Sequence, residues 1–182
     1  MILIGVPCGE NVKARTAFSL FNLRGGPSLS MEIGADIAYN RNKLVMQALK
    51  GDYTHIFFVD SDMVFEKDTI EKMRAQNKDI VGLAANRRKL PLESVVKPLH
   101  KDDENKPLPT VVFEAASCGT GVMLIKTDVF RKIPAPWFDF EYDEKGDRVG
   151  EDVGFCRKAR EAGYKIWVDP TIPVRHVGEY LY

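Results

Sequence analysis

The sequence predicts a single α/β domain with a mixed, mostly parallel sheet flanked by helices. Three observations carry this. Short apolar, β-branched runs alternate with segments of helical periodicity through the first 85 residues, the pattern of successive βαβ units. Strand signals then follow one another closely between residues 111 and 126, which extends the parallel sheet with an antiparallel portion. At 182 residues the chain has the size of one domain, with no internal repeat and no linker long enough to divide it.

Residues 2–7 read as a first buried strand, and Gly9-Glu10-Asn11 turns into a helical stretch over residues 12–23, broken by Gly25-Gly26-Pro27. Residues 29–33 are a second strand. Asp36 is placed to cap a helix that runs to Lys50, with Gly51 at its C-terminal end. Ile37, Leu44, Val45, Ala48 and Leu49 mark the buried stripe of that helix. Ile56-Phe57-Phe58-Val59 is a continuous apolar run between polar turns, the mark of a central strand covered on both faces. A short helix over 67–76 and a buried strand over 79–84 follow. Residues 86–109 are rich in proline and charge and read as an exposed hairpin tip or mobile loop. Strands over 111–115 and 122–126 are separated by Cys118-Gly119-Thr120-Gly121. Residues 151–162 read as a helix ended by Gly163, and 165–168 as the last strand.

Charge and cysteine content narrow the function classes. Lys plus Arg and Asp plus Glu number 26 each, so no global field points to nucleic acid or to an anionic membrane, although local patches such as Arg87-Arg88-Lys89 remain. No apolar segment approaches the roughly 20 residues needed to span a bilayer. The N-terminus lacks a basic leader and reads as a strand, not a signal sequence. Cys8, Cys118 and Cys156 are odd in number, widely spaced and without zinc-type pairing, which favours reduced thiols in a cytoplasmic setting.

Four constellations carry chemistry. The apolar run 56–59 ends in Asp60-Ser61-Asp62, and the carboxyl ends of strands are where open α/β sheets bind ligands. Desolvated carboxylates need a partner. Either a hard divalent cation with bound phosphate meets them, or Asp60 caps the turn and Asp62 is solvated. Arg41, in Asn40-Arg41-Asn42, stands four residues from both Ile37 and Val45 on the buried stripe. An inward guanidinium calls for an anion, whether a nucleotide phosphate, Asp60 or Asp62; the alternative is a snorkelling side chain that packs only its stem. Glu151 and Asp152 open the helix of residues 151–162, where carboxylates favour the macrodipole; one of them is a cap or a general base. His176 is a polar surface or core residue, or an imidazole ligand to a metal already held by carboxylates. Beside these, Trp137-Phe138-Asp139-Phe140-Glu141-Tyr142-Asp143 is an acceptor wall or lid, or a strand whose Phe138, Phe140 and Tyr142 cover the core.

Taken in order, these segments resemble the glycosyltransferases of the A-type (GT-A) fold, the family 2-like enzymes in particular. The resemblance is carried by Asn40-Arg41-Asn42 about twenty residues before the acidic pair, by the run 56–59 with Asp60-Ser61-Asp62 as the family's DxD motif, by the glycine-rich segment 119–125, and by the closing block GEDVGFCRKAREAGYKIWVDPTIPVRHVG. It implies a single-domain nucleotide-diphospho-sugar transferase fold, with a nucleotide-binding half at residues 1–85 and an acceptor-side half at 110–178. It further implies a nucleotide-sugar donor and Mn²⁺ or Mg²⁺ bridging its diphosphate. Asp62, with Asp60, would hold the cation, and His176 would be a third ligand or a diphosphate contact. Pro7 would border the nucleoside and Arg41 the ribose or phosphates. Asp152 matches the general base of inverting members, with Glu151 beside it. The acceptor hydroxyl is left open among glycan, lipid, protein and nucleic acid.

Other readings compete. A nucleotidyltransferase, or an inactive module that binds a sugar nucleotide, would suit a similar fold. Asp60-Ser61-Asp62-Met63-Val64 also resembles the nucleophile motif of haloacid-dehalogenase-type phosphatases, but those enzymes place it on the first strand, whereas here it follows about the third.

Overall fold

A computed structural model describes residues 1–25, 28–87 and 93–178. Arg88 and Lys89 of the basic patch lie outside the described residues. In chain order the elements are β1 (Ile2–Cys8), α1 (Ala14–Phe21), β2 (Ser28–Ile33), α2 (Ile37–Lys50), β3 (His55–Val59), β4 (Met63–Phe65), α3 (Thr69–Ala75), β5 (Ile80–Leu83), β6 (Lys97–Pro98), β7 (Phe113–Ser117), β8 (Val122–Lys126), α4 (Thr127–Lys132), β9 (Glu141–Tyr142), β10 (Arg148–Val149), α5 (Glu151–Glu161), β11 (Ile166–Asp169) and β12 (Val174–His176). Among the described residues, eight strands form one sheet in the order β2-β1-β3-β8-β5-β11-β7-β6.

The expected α/β class is present: β2, β1, β3, β5 and β11 run in one direction, and helices cover both faces. The antiparallel portion is not an extension at one side, however. β8 runs antiparallel between β3 and β5, in the middle of the sheet, and β7 runs antiparallel beyond β11. To reach β8 from β7 the chain crosses β5, and a Cβ on Gly82 would lie 2.2 Å from Cys118 Sγ. Glycine is required there by the close approach of the crossing chain.

β3 shows why the apolar run is continuous. Ile56 and Phe58 pack with Leu44, Val45, Phe130, Phe138 and Phe155 under α2, α4 and α5, whereas Phe57 and Val59 pack with Ile4, Val6, Ile70 and Met73 on the side of α1 and α3. Each fully buried side chain of this size stabilises the fold by about 1.5–3 kcal/mol relative to its exposed state. Phe138 and Phe155 stack with centroids 4.8 Å apart. The helix signals are as read: Asp36 accepts from Tyr39 N at 3.0 Å, Gly51 ends α2, and Gly163 follows α5 with φ +87°.

Several local expectations change. Of the two readings of 86–109, the hairpin fits the described residues, since Asn86 bridges Ser94 antiparallel; beyond it, β6 pairs with β7 and Val96 is buried. The strand expected at 111–115 lies at Phe113–Ser117, with Val111 exposed. The aromatic run 137–143 forms a strand only at Glu141–Tyr142. Trp137 and Phe138 belong to the core, while Tyr142 is exposed. They are irregular because Asn42 holds their backbone: Asn42 Oδ1 accepts from Trp137 N at 3.0 Å and Phe138 N at 3.1 Å, and its Nδ2 donates to Phe138 O at 2.7 Å. β4, α4 and β12 carried no sequence expectation.

Candidate functional site

β3 is buried on both faces, and the chain turns where its apolar run ends. Asp60, Ser61 and Asp62 make that turn, and backbone bonds hold it from three sides. Asp60 N donates to Gly121 O at 2.9 Å, Lys13 N to Ser61 O at 2.8 Å, and Val177 N to Asp62 O at 2.8 Å. Segments entering α1 and β8 and leaving β12 therefore fix one loop.

Arg41 meets this loop from the inward face of α2 and is only 2% exposed. Its Nη2 donates to Asp60 Oδ1 at 2.7 Å and its Nη1 to Glu151 Oε1. The guanidinium carbon lies 5.8 Å from the Phe138 ring centroid, and Nε has no hydrogen-bond partner among the described residues. Of the anions open to Arg41 in the sequence reading, Asp60 is one that it meets. Glu151 was not foreseen as a partner, because nothing in spacing ties position 41 to position 151. The flanking asparagines are scaffolding: Asn42 anchors residues 137 and 138, and Asn40 Nδ2 donates to Gly34 O at 3.1 Å.

Gly119 and Gly121 pass between two acids. A Cβ on Gly121 would stand 3.4 Å from Asp60 Oδ2, and one on Gly119 would stand 3.6 Å from Asp152 Oδ2. The Thr120 hydroxyl between them is buried and has no partner among the described residues. Asp152 Oδ1 accepts from Val153 N at 2.8 Å, so this carboxylate does engage the first turn of α5. Its charge also reaches the neighbouring thiols. Burial pushes Cys156 up to about 12 and Cys118 well above the ordinary thiol range, and the Asp152 carboxylate adds to both effects. Both thiols are neutral packing groups.

His176 arrives through a two-stranded ribbon. β12 pairs antiparallel with β4, which sets His176 opposite Met63. Its Nε2 lies 4.0 Å from Asp62 Oδ1, and its Nδ1 contacts Asn86 O. Pro7 is buried near the carboxyl end of β1, opposite Glu32 on β2, at the same edge of the sheet as the acidic loop. Asp169, at the end of β11, offers a contrast. It is buried and satisfied by Thr171 N at 2.9 Å, Thr171 Oγ1 at 2.6 Å and Gln76 Nε2 at 2.8 Å, so it is a structural cap.

Among the described residues no three His, Cys, Asp or Glu side chains converge as a ready metal cage. Asp62 and His176 face each other, and Asp60 keeps Oδ2 toward the space that a side chain at Gly121 would fill. Such a partial set fits a cation whose coordination is completed by water and phosphate oxygens.

Comparison with solved structures places this architecture among known folds. The chain aligns over 97% of its length with A197 from STIV, at 19% identity and a TM-score of 0.65, covering 85% of that chain. It aligns over its full length with S. aureus TarS 1–349 in complex with UDP-GlcNAc, at 13% identity and a TM-score of 0.57, and spans 59% of that chain. The fold is a small single-domain α/β architecture of the GT-A-like type. No family model matches the chain, and no curated protein sequence matches it significantly.

Proposed function

We propose that this chain is a glycosyltransferase that takes its sugar from a nucleotide-sugar donor with the help of Mn²⁺ or Mg²⁺. One observation carries the reading: five separate segments converge at the carboxyl end of β3. Arg41 links Asp60 to Glu151, Gly121 flanks Asp60, Gly119 flanks Asp152, and His176 faces Asp62. The likeness in fold to TarS, solved with UDP-GlcNAc, supports a nucleotide sugar as the ligand.

In this reading Asp62 and His176 hold the cation, with Asp60 beside them. When bound, the cation offsets charge developing on the departing diphosphate. Arg41 fixes the Asp60 carboxylate in orientation. Glu151 is occupied by Arg41, which leaves Asp152 Oδ2 to take the acceptor hydroxyl proton. The glycines at 119 and 121 let the chain pass close beside both acids, and Pro7 borders the nucleoside. Residues 1–85 then serve the donor and residues 110–178 the acceptor.

The test is a thermal-shift panel of nucleotides and nucleotide sugars, with and without Mn²⁺, followed by product analysis. A ligand at 100 times its dissociation constant adds about 2.7 kcal/mol to the folded state. A Mn²⁺-dependent shift with one nucleotide sugar, and release of its nucleoside diphosphate on turnover, is expected. No shift with any member of the panel would reject the reading. Binding without turnover would favour an inactive module, and pyrophosphate release from a nucleoside triphosphate a nucleotidyltransferase.

A further inference from the structure

The inner face of helix α1 is only partly apolar: Leu20 packs partly buried against the core beside two polar side chains. Thr16 and Ser19 are its buried residues, and Ser19 Oγ accepts from Phe65 N at 3.3 Å, whereas Phe18 and Phe21 stand 72% and 88% exposed. Ala14 and Ala17 are exposed with them. Positions 14, 17, 18 and 21 follow the i, i+3, i+4, i+7 spacing of one helix face, so a second apolar stripe, opposite Leu20, faces outward. The edge strand β2 presents a further apolar row on the same side of the sheet. Its exposed Leu29, Met31 and Ile33 pair with Ile4, Val6 and Cys8, which belong to the core on the α1 side of the sheet.

The surface is basic as well as apolar. No Asp or Glu occurs between Glu10 and Glu32, while Lys13, Arg15 and Arg24 fall in that stretch. Arg15 and Arg24 are exposed, and so is Lys67, whose carbonyl accepts from Arg24 N at 3.0 Å. The carboxylates on either side of Lys67 are already engaged: Lys72 bonds Glu66 at 2.8 Å and Asp68 at 3.1 Å.

We infer that α1 docks this protein onto an anionic lipid bilayer. Rings exposed to this degree protrude and do not line a groove, so a deformable interface receives them better than a rigid pocket. The basic rim complements anionic headgroups, and weak apolar insertion combined with charge is how short amphipathic helices hold a membrane surface. A second copy of the chain fits poorly. A two-fold contact sets a segment against itself, and one without carboxylates would bring Arg15 and Arg24 onto like charge. Docking also brings the acidic loop to the lipid surface, because Lys13 N, at the foot of α1, bonds Ser61 O.

The inference stands apart from sugar transfer, and its test uses vesicles alone. The full chain is sedimented with vesicles of phosphatidylcholine mixed with phosphatidylserine, and with phosphatidylcholine alone. Binding to the anionic vesicles only, weakened about tenfold or more in F18S/F21S and in R15Q/R24Q and released by high salt, is expected. Circular dichroism checks that both variants remain folded, which their exposed positions permit. No binding by the wild type, or equal binding by folded F18S/F21S, overturns the inference. A dimer that F18S/F21S dissolves, without vesicle binding, overturns it in favour of self-association. Binding to polyglutamate but not to vesicles overturns it in favour of an acidic protein partner.

Discussion

Arg41 and Glu151 stand 110 positions apart in the chain and form one ion pair in the protein interior. With Asp60 as the second acceptor, this pair ties the inward face of α2, the end of β3 and the first residue of α5 into one unit.

Removing the cation should therefore cost more than a surface pair would. Arg41→Met leaves the buried Glu151 and the partly buried Asp60 without a counter-charge, and breaking a buried pair in this way costs about 3–5 kcal/mol. Arg41→Lys should recover part of the loss, since a single ammonium cannot present two Nη donors at once. Urea unfolding midpoints at constant slope measure both; an unchanged midpoint in Arg41→Met would show that the trio adds nothing to stability.

In the proposed reading, Asp62 and Asp152 should separate in function. Asp62→Ala should lose Mn²⁺-dependent binding of the donor, read by calorimetry. Asp152→Asn should bind the donor as the wild type does and lose transfer by about 10²–10⁴-fold, the usual contribution of a general base. Transfer at the wild-type rate by Asp152→Asn would remove it from the mechanism.

Gly82 should tolerate no side chain while Cys118 lies over it. Gly82→Ala sets a Cβ 2.2 Å from Cys118 Sγ and should destabilise by about 1–3 kcal/mol through overpacking. In a Cys118→Ala background the sulfur is gone, and the same change should cost less. A double-mutant cycle on unfolding free energies measures the coupling; additive losses would mean that the crossing chain yields freely.

The buried thiols make stability fall in alkali. Cys156 is pushed up to about 12, above its value in the unfolded chain, so between roughly pH 9 and pH 12 the native state holds a proton that the unfolded state has released. The contribution is complete below that window and is lost as pH rises through it. Cys156→Ala should flatten the alkaline limb of a stability–pH curve, and native Cys156 should resist maleimide until the chain unfolds. Rapid labelling of native Cys156 at pH 8 would contradict this.

Much of the site was legible in the sequence because its parts are local signals. The run 56–59 announced a buried strand, the acids after it a polar turn at the ligand-binding edge, and Arg41 an inward cation. What sequence could not show was pairing. The partner of Arg41 at position 151, the anchoring of residues 137 and 138 by Asn42, and the β4–β12 ribbon that brings His176 to Asp62 all depend on long-range register. β4 and β12 are three residues each, too short for alternation to stand out, though Met63-Val64-Phe65 and Val174-Arg175-His176 do alternate in burial or polarity. The outward apolar stripe of α1 also defeats pattern reading, which assigns apolar stripes to the core.

Because β8 lies between β3 and β5, neither of those strands gains that neighbour until residue 126 has been made. A nascent chain emerging from the ribosome can assemble β2, β1 and β3, but β5 has no strand to join among the first 85 residues. At roughly 5–20 residues per second the wait from residue 83 to residue 126 lasts a few seconds, with an apolar edge of β3 open to wrong partners. Residues 1–85 and 110–178 are thus not separate folding units. A fragment ending near residue 85 should be aggregation-prone, and the middle of the sheet is completed only when β8 slots into place.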